Sequence, residues 1–372
     1  MQVETNIEIE KNIAHPHTIK KFELIEEYVK AWAPKLLNFP NCNGIVFIDC
    51  MCNNGLYHDS NGKKVIGTPI RVANYLHGIM KKYPGKQCSV YFNDLDQNKI
   101  EILKTQLPKN TRNFHIHTSY GDGNDLLIDI GRELSPKTNM NYLLVYDPYT
   151  ASIDWGALFP FLRNWGEVII NHMVSDSIRG IPQAKRDATI EKYEQTYSMG
   201  IEELIALGND RTTYEDIIGK IISASREGTN KKYYTSSFPF FNSKNSIVYS
   251  LIHCSRNIKG FKLYKKTAWK TFGGKSSTKN THGKEFQTKL VTDGTEGVII
   301  TTHTDEYCYN VYDIAKHIQS VYNGRQHVPK KEIWETLDEH PFFPSDGYRP
   351  DILKILKEKH NANVSQQSVS FM

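Results

Sequence analysis

Polar side chains follow each of the apolar runs in the first half of the sequence. In chain order, the runs lead to Asp49, to Asn93-Asp94, to Gly121-Asp122-Gly123, to Asp147-Pro148-Tyr149 and to Asn171-His172. A carboxylate accepts hydrogen bonds from hydroxyl or amine groups, so carboxylates in equivalent positions could bind and orient a ligand. Each Asp or Asn taken singly could also be an ordinary N-cap of the next helix. Four successive carboxylates at strand ends favour a ligand site.

The elements that would position these side chains are short strands that alternate with helical stretches. The apolar runs cover residues 44–50, 88–94, 113–117, 141–147 and 167–172. Apolar runs without polar alternation are typical of strands buried on both faces, as in parallel sheets covered by helices. The sequence therefore predicts a doubly wound α/β fold with a mostly parallel sheet, in which a ligand binds outside the carboxyl ends of the strands.

The loop after the first run restricts the kind of ligand. It contains neither the G-x-G-x-x-G pattern of dinucleotide-binding folds nor the G-x-x-x-x-G-K-[ST] phosphate loop, so hydride transfer with NAD and nucleotide hydrolysis lose their support. A ligand with a ribose but no phosphate to cradle remains. We predict that Asp94 accepts both ribose hydroxyls and that Asp122 accepts an adenine amino group. Asp49 and Gly55 would shape the loop beside an amino-acid moiety, where the backbone passes close to the ligand.

These residues resemble the motifs of class I S-adenosylmethionine-dependent methyltransferases. More specifically, the chain from about residue 15 to 360 resembles the three-Cys-motif partner family, whose members are methyltransferase-like. The segments that carry this resemblance begin at His17 (HTIKKFELIEEYVKAWAPKL), Phe47 (FID), Gly67 (GTP), Asp147 (DPYT) and Ile169 (IIN). The resemblance implies a class I methyltransferase-like fold, S-adenosylmethionine as the cofactor and a three-Cys-motif protein as a partner.

The first loop departs from the family's pattern D-x-F-x-G-x-G. Met51 stands at the aromatic position and Asn53 at the first glycine. Asn adopts a left-handed backbone more readily than most residues, so Asn53 can retain the turn, while its side chain could crowd the cofactor. Two hypotheses stay open: Asn53 belongs to a working cofactor site, or the fold is catalytically silent.

The triplet Asp147-Pro148-Tyr149 resembles the D-P-P-Y signature of amino-methyltransferases, with one proline in place of two. The resemblance implies that the Asp147 side chain and the Pro148 carbonyl accept hydrogen bonds from an exocyclic amine, while Tyr149 stacks on an extruded base. The alternative is a strand-ending turn with Tyr149 packed in the core. We include Asn171 in the catalytic set, whereas a lone histidine such as His172 is more often a satisfied hydrogen-bonding residue than a base.

The positive charge of the chain is concentrated in one segment. Residues 259–289 contain nine lysines and one acid, a local balance of +8 in a chain whose formal net charge is +5. Lysines near a polyanion release its condensed counterions, which favours a nucleic acid as the partner of this segment. A solvated loop that keeps the protein soluble is the alternative. The residues predicted to contact nucleic acid are Lys262, Lys265, Lys266, Lys270 and Lys275.

The sequence divides into four regions. We predict an N-terminal helical segment at 1–40, a methyltransferase-like α/β domain at 41–260 with a helical insertion at 174–225, a basic arm or linker at 261–300, and a helical or winged-helix domain at 301–372. No apolar window is long enough to cross a bilayer and the first residues are polar, so we expect a cytoplasmic protein.

The six cysteines do not indicate a disulfide framework in a chain of this kind. Cys42, Cys50, Cys52 and His58 could be drawn as a zinc site. Cys50 and Cys52 flank a single residue, however, whereas paired ligands in a tetrahedral loop site are usually separated by about two to four residues. We therefore expect small buried apolar side chains and no metal.

The residues and the resemblance together predict an S-adenosylmethionine-dependent methyltransferase that acts on nucleic acid, at an amino group of a base, and works with a three-Cys-motif protein. The alternative is a catalytically silent adaptor of the same fold that binds nucleic acid or the partner protein. A third hypothesis keeps the enzyme but makes the acceptor a small molecule or a protein.

Overall fold

The computed structural model describes residues 12–134, 139–163, 166–225, 233–280 and 307–372, together with two short strands at 287–289 and 299–301. Residues 1–11 of the predicted N-terminal segment, and most of the junction between the predicted basic arm and the C-terminal domain, lie outside the described residues. The strands are β1 (Gly44–Asp49), β2 (Leu56–His58), β3 (Lys64–Ile66), β4 (Gln87–Asp94), β5 (Phe114–Tyr120), β6 (Met140–Tyr146), β7 (Gly166–His172), β8 (Tyr234–Phe241), β9 (Ile247–Ser255), β10 (Gln287–Lys289), β11 (Ile299–Thr301), β12 (Val328–Pro329), β13 (Asn363–Val364) and β14 (Ser368–Ser370). The helices are α1 (Pro16–Leu37), α2 (Thr68–Met80), α3 (Gln97–Gln106), α4 (Gly123–Leu134), α5 (Trp155–Arg163), α6 (Val174–Gly180), α7 (Asp187–Tyr197), α8 (Ile201–Ala206), α9 (Arg211–Ala224), α10 (Ile258–Thr271), α11 (Val311–Tyr322), α12 (Lys330–Glu339) and α13 (Arg349–Lys359).

A central sheet positions the strand ends. Within the described residues it has seven strands in the order β5-β4-β1-β6-β7-β9-β8. The pairs β5-β4, β4-β1, β1-β6 and β6-β7 are parallel, whereas β9 runs antiparallel to both β7 and β8. The doubly wound, mostly parallel sheet predicted from the sequence is confirmed. The strand order reverses at β1, so the carboxyl ends of β1, β4 and β6 border the crevice where such sheets bind ligands.

The first strand shows why these apolar runs form a buried parallel sheet. Every residue of β1 is buried. Ile45 and Phe47 pack into the core layer on one face of the sheet, whereas Val46 and Ile48 pack into the layer on the other face. Because successive side chains of a strand point to opposite faces, only a strand covered on both sides can be apolar at every position.

Helix α1 packs across one face of the sheet, from the amino ends of the strands to their carboxyl ends. The Tyr28 hydroxyl donates to Oε2 of Glu167, near the amino end of β7, and Nε2 of His253 lies 2.9 Å from the same oxygen. These groups are buried. Lys21, on the same face of α1 as Tyr28, is also buried and lies at the carboxyl edge of the sheet, beside Asp147. A buried carboxylate requires hydrogen-bond donors, so Glu167 holds α1 in register with the sheet.

The helical insertion and the C-terminal region flank the sheet. Residues 174–225 contain α6 to α9. Tyr197 of α7 and Tyr214 of α9 belong to the same core layer as Ile170 of β7. The C-terminal region contains α11, α12 and α13 together with a small antiparallel sheet in the order β12-β14-β13, which the sequence did not predict. In the described part of the chain, no helix combines the length and the apolar character needed to cross a membrane.

Helix α10 occupies part of the predicted basic arm and corrects that prediction. Phe261, Tyr264, Ala268 and Trp269 are buried, so residues 258–271 form a packed helix and not an exposed linker. Lys265 lies on the buried side of this helix. Its Nζ donates to the backbone carbonyls of three residues at the end of α12 and just beyond it. These carbonyls belong to Leu337 at 2.9 Å, Asp338 at 3.0 Å and His340 at 2.6 Å.

The five lysines predicted to contact nucleic acid have different environments. Lys265 is not available to a phosphate, because its ammonium is buried and caps α12. The Nζ of Lys262 lies 2.5 Å from Oδ2 of Asp338. Lys275 is partly buried, and its Nζ donates to the carbonyl of Lys279 at 2.7 Å. Lys266 and Lys270 are exposed on α10.

Replacing Lys265 with Met should destabilise the protein, because three backbone carbonyls would lose their donor. We expect the free energy of unfolding to fall by roughly 2 to 3 kcal/mol, measured by urea denaturation. The neighbouring Lys266→Met is the matched control and should change stability by about 0.5 kcal/mol or less, because its side chain is exposed. Equal effects of the two substitutions would contradict the capping role of Lys265.

Candidate functional site

The ends of four parallel strands bring carboxylates and an amide to one edge of the sheet. Asp49 ends β1, Asp94 ends β4, Asp147 follows β6, and Asn171 lies near the end of β7. Asp49, Asp94 and Asn171 are buried. These are the positions that the order of strands places around the reversal point, so the edge is the candidate site.

Both carboxylate oxygens of Asp147 are already bound within the chain. The Nζ of Lys21 lies 2.5 Å from Oδ2, and Nδ2 of Asn171 donates to Oδ1. Lys21 is only 8% exposed. Its Nζ also lies over the ring of Tyr249, 5.1 Å from the centroid. Asp147 is therefore held in one orientation at the carboxyl edge by a cation and an amide.

Asp49 retains an oxygen without a partner. Burial, and next the charge of Asp147, raise the pKa of the Asp49 carboxyl to about 8, although the backbone N–H of Met51 opposes this shift. Among the described residues, neither Oδ1 of Asp49 nor Oδ1 of Asn171 has a hydrogen-bond partner, although both atoms are buried. Buried acceptors are normally satisfied, so this pair indicates a place for a ligand that donates hydrogen bonds, such as one with an ammonium group.

The loop after β1 is tied to the end of β4. The backbone N–H of Asn53 donates to Oδ2 of Asp94 at 2.9 Å, and that of Asp96 donates to Oδ1 at 3.1 Å. Each of these oxygens retains a second lone pair for a further donor. Asn53 and Gly55 adopt left-handed backbones, with φ of 56° and 72°. A Cβ at Gly55 would lie 2.8 Å from Cδ1 of Ile70, so only glycine fits there without displacing the neighbouring side chain.

The side chain of Asn53 is held by two residues on opposite sides. Its Oδ1 accepts a hydrogen bond from Nδ2 of Asn12 at 3.2 Å, and its Nδ2 donates to the hydroxyl of Tyr149 at 3.1 Å. Nδ2 of Asn12 also lies 3.3 Å from Oδ1 of Asn54. The left-handed turn is therefore retained, as Asn53 allows, and its side chain is fixed by hydrogen bonds.

Exposed apolar and aromatic side chains border the crevice. Tyr149 is 67% exposed, so the alternative in which it packs in the core is wrong. The Nζ of Lys99 lies 5.7 Å from the centroid of its ring. Leu95, which follows Asp94, is 78% exposed. Asp122 is exposed at the start of α4, where its Oδ1 accepts from the N–H of Asn124 at 2.7 Å. Pro148 is buried between Asp147 and Tyr149.

His172 points away from this edge. Its Nε2 lies 2.8 Å from the hydroxyl of Tyr197, which in turn donates to Oγ of Ser177 at 2.5 Å. Burial lowers the pKa of His172 to about 3, so the ring is neutral near pH 7. Successive residues of a strand face opposite sides, which explains why Asn171 contacts Asp147 and His172 does not.

The six cysteines are buried and are not joined in disulfides. Within the described residues, no group of three or more His, Cys, Asp or Glu side chains could hold a metal ion.

Lys21 is the site residue that sequence reasoning missed. It lies in a charged stretch, Lys20-Lys21, at the start of an amphipathic helix, where lysines are ordinarily solvated. The signal was its spacing, because Lys21, Ile25, Tyr28 and Trp32 share the buried face of α1. A lysine on an apolar face indicates a buried anion partner.

No family model matches the chain, and no curated protein matches it. Similar solved structures include a protein from Legionella pneumophila described by the family model DUF519, with 12% identity and a TM-score of 0.42 over 69% of this chain and 94% of that chain. Human methyltransferase-like protein 13 in complex with SAH has 9% identity and a TM-score of 0.31 over 67% of this chain and 91% of that chain. An O-methyltransferase from Bacillus cereus in complex with SAH has 9% identity and a TM-score of 0.34, over 64% and 81%. The function has therefore to be argued from the residues of this chain.

Replacing Asp49 with Asn should flatten the pH dependence of stability. An Asp in the unfolded chain has an ordinary pKa near ~4, whereas the pKa of Asp49 in the folded protein is raised to about 8. Between these values the folded state binds more protons than the unfolded state, so stability falls as the pH rises through this window. We expect this group to remove up to ~1.4 kcal/mol of unfolding free energy per pH unit in the wild type.

The measurement is urea denaturation at pH 5 and pH 8, with the exposed Asp129→Asn as the matched control. D49N should be nearly as stable as the wild type at pH 5 and more stable than the wild type at pH 8. A difference between D49N and the wild type that is the same at both pH values would contradict a raised pKa at Asp49.

Proposed function

We propose that this chain is an S-adenosylmethionine-dependent methyltransferase that acts on an amino group of a nucleic-acid base. One observation carries the proposal: the buried, unpartnered oxygen of Asp49 and the carboxylate of Asp94 lie on neighbouring strand ends at the reversal point of the sheet. A ligand with an amino-acid end and a ribose matches this pair of acceptors.

The residues present fit this cofactor. Asp94 has lone pairs for the ribose hydroxyls, and the exposed side chain of Leu95 offers an apolar surface for adenine. Asp122, exposed at the start of α4, is the residue that would accept the adenine amino group. Asp49 and the loop containing Asn53 and Gly55 would hold the amino-acid end. When bound, S-adenosylmethionine supplies an electrophilic methyl group on a sulfonium.

The acceptor would lie between this pocket and Tyr149. Asp147 and the carbonyl of Pro148 would accept hydrogen bonds from the amine and so orient its lone pair. Asn171 fixes Asp147 through Oδ1. Tyr149 is exposed and is held by Asn53, so its ring can stack on a base that has left its helix.

A nucleic-acid partner is supported by the exposed lysines of α10, Lys266 and Lys270, since such side chains can contact phosphates. The order of elements in the C-terminal region, helix, strand, two helices and two strands, agrees with the winged-helix unit that we propose as a second contact. As a protein partner we propose a three-Cys-motif protein, and the support for it is the sequence resemblance described above.

One observation favours a second candidate, a catalytically silent adaptor of the same fold. Lys21 and Asn171 each bind one oxygen of Asp147, so the carboxylate is neutralised within the chain and is a weaker acceptor for an amine. Binding of the cofactor distinguishes the two candidates, because an adaptor has no need for the pocket.

Calorimetry with S-adenosylhomocysteine should show binding to the wild type that is lost in Asp94→Asn. We expect the substitution to weaken binding by about tenfold or more, because the ribose would lose charge-assisted hydrogen bonds. Asp96→Asn is the matched control, since Asn also caps a helix well, and it should retain the affinity. Absence of binding to folded wild-type protein, free of copurified ligand, would favour the adaptor.

Replacing Tyr149 with Ala should reduce methyl transfer without reducing cofactor affinity. Stacking on a base is worth about 1 to 3 kcal/mol, so we expect transfer of a radioactive methyl group to host nucleic acid to fall by about 5- to 150-fold. Tyr149→Phe retains the ring and should retain most of the activity. Equal losses in the two variants would contradict stacking and assign the effect to the hydrogen bond with Asn53.

A further inference from the structure

Lys21 interacts with both parts of the proposed site, the acceptor part and the cofactor part. Its Nζ binds Asp147, which is assigned to the acceptor, and its charge also acts on the carboxyl group of Asp49, which is assigned to the cofactor. The side chain is almost completely buried. Lysine has three donors and a flexible stem, so its ammonium can exchange one acceptor for another while the helix stays in place.

The present position of Lys21 weakens Asp147 as an acceptor. Each oxygen of Asp147 already binds one donor, and the ammonium of Lys21 neutralises the carboxylate that an incoming amine would bind. Asn171 is buried on strand β7. Helix α1 is anchored through Tyr28 and Glu167, so a change of partner by Lys21 involves its side chain and not the helix.

The proposed cofactor supplies a reason for Lys21 to move. Its amino-acid end carries an ammonium and a carboxylate, and these need an anionic and a cationic partner. The unpartnered oxygen of Asp49 suits the ammonium, whose charge would stabilise the ionised form of this carboxyl. Lys21 is a buried cation whose charge acts on the Asp49 carboxyl, and a charge-assisted hydrogen bond between an ammonium and a carboxylate is strong.

We infer that Lys21 binds the carboxylate of the cofactor's amino-acid end and, in doing so, releases Asp147 for the acceptor amine. This inference rests on the proposed function. It assigns Lys21 a role in cofactor specificity and makes the readiness of the acceptor site depend on the presence of the cofactor.

Two ligands separate this role from a structural one. S-adenosylhomocysteine carries the amino-acid end, whereas 5′-methylthioadenosine has the same adenosine and sulfur without it. Calorimetry should show that Lys21→Met weakens S-adenosylhomocysteine by about 10- to 100-fold and changes 5′-methylthioadenosine by about twofold or less. Lys20→Met, in the same turn, is the matched control and should leave both affinities unchanged, because Lys20 is half-buried beside Glu23 and makes no contact with Asp147. Lys21→Arg should retain much of the preference for S-adenosylhomocysteine.

Competition for Lys21 gives a second signature. Asp147→Asn removes the competing carboxylate, so it should tighten S-adenosylhomocysteine several-fold more in the wild-type background than in the Lys21→Met background, where only its effect on Asp49 remains. Equal tightening in both backgrounds, or weaker binding in D147N, would overturn the competition.

The failure of the inference differs from the failure of the proposed function. If Lys21→Met weakens both ligands equally, or weakens neither, the inference is wrong while the cofactor pocket stands. If the folded wild type binds neither ligand, the proposed function is wrong and the inference falls with it.

Discussion

The buried carboxylate of Glu167 sets the position of helix α1, and the candidate site depends on that position. Glu167 lies near the amino end of β7 and contacts Tyr28 from α1 and His253 from β9. Leaving such a carboxylate without donors would be costly, so these contacts fix where α1 lies along the sheet. Lys21 precedes Tyr28 by about two helical turns, roughly 10 Å along the axis. The helix therefore extends from one edge of the sheet to Asp147 at the other.

The sheet keeps three carboxylates close together by three different means. Asp147 is neutralised by Lys21, and Asp94 accepts two backbone N–H groups. Asp49 binds no cation directly and lacks a full set of donors, and in the absence of a ligand its raised pKa keeps the carboxyl mostly protonated near neutral pH. Three charged carboxylates at one edge would repel each other, so a different environment for each is what permits the cluster.

The sequence predicted the elements whose pattern depends on local burial. The apolar runs predicted β1, β4, β5, β6 and β7. For β1, β6 and β7 the reason is that a strand buried on both faces has no polar alternation. It also predicted that their ends would meet, since parallel strands share one edge. The order of the strands and the reversed strand β9 depend on contacts between distant segments, and no local pattern of residues reports them.

The prediction for Lys265 was wrong because charge was counted without its direction. The nine lysines of 259–289 favoured a basic arm that contacts nucleic acid, but Phe261, Tyr264 and Trp269 recur at helical spacing and bury one side of the same segment. That side carries Lys265 to the end of α12. Lys21 was missed because its partner Asp147 lies 126 residues away in sequence.

The anchoring of α1 also bears on how this chain can be divided. In sequence, α1 precedes the first strand of the sheet and looks like a detachable leader. In the fold it supplies the donor for Glu167 and the counter-ion of Asp147, and it covers Tyr264 through the ring of Tyr28. A fragment that begins at β1 would therefore leave Glu167 without the Tyr28 hydroxyl and Asp147 without its cation, and each carboxylate would keep a single side-chain partner of those described above, His253 or Asn171. A rearranged version of the protein, such as a circular permutant, has to open the chain in another loop and keep α1 joined to the sheet.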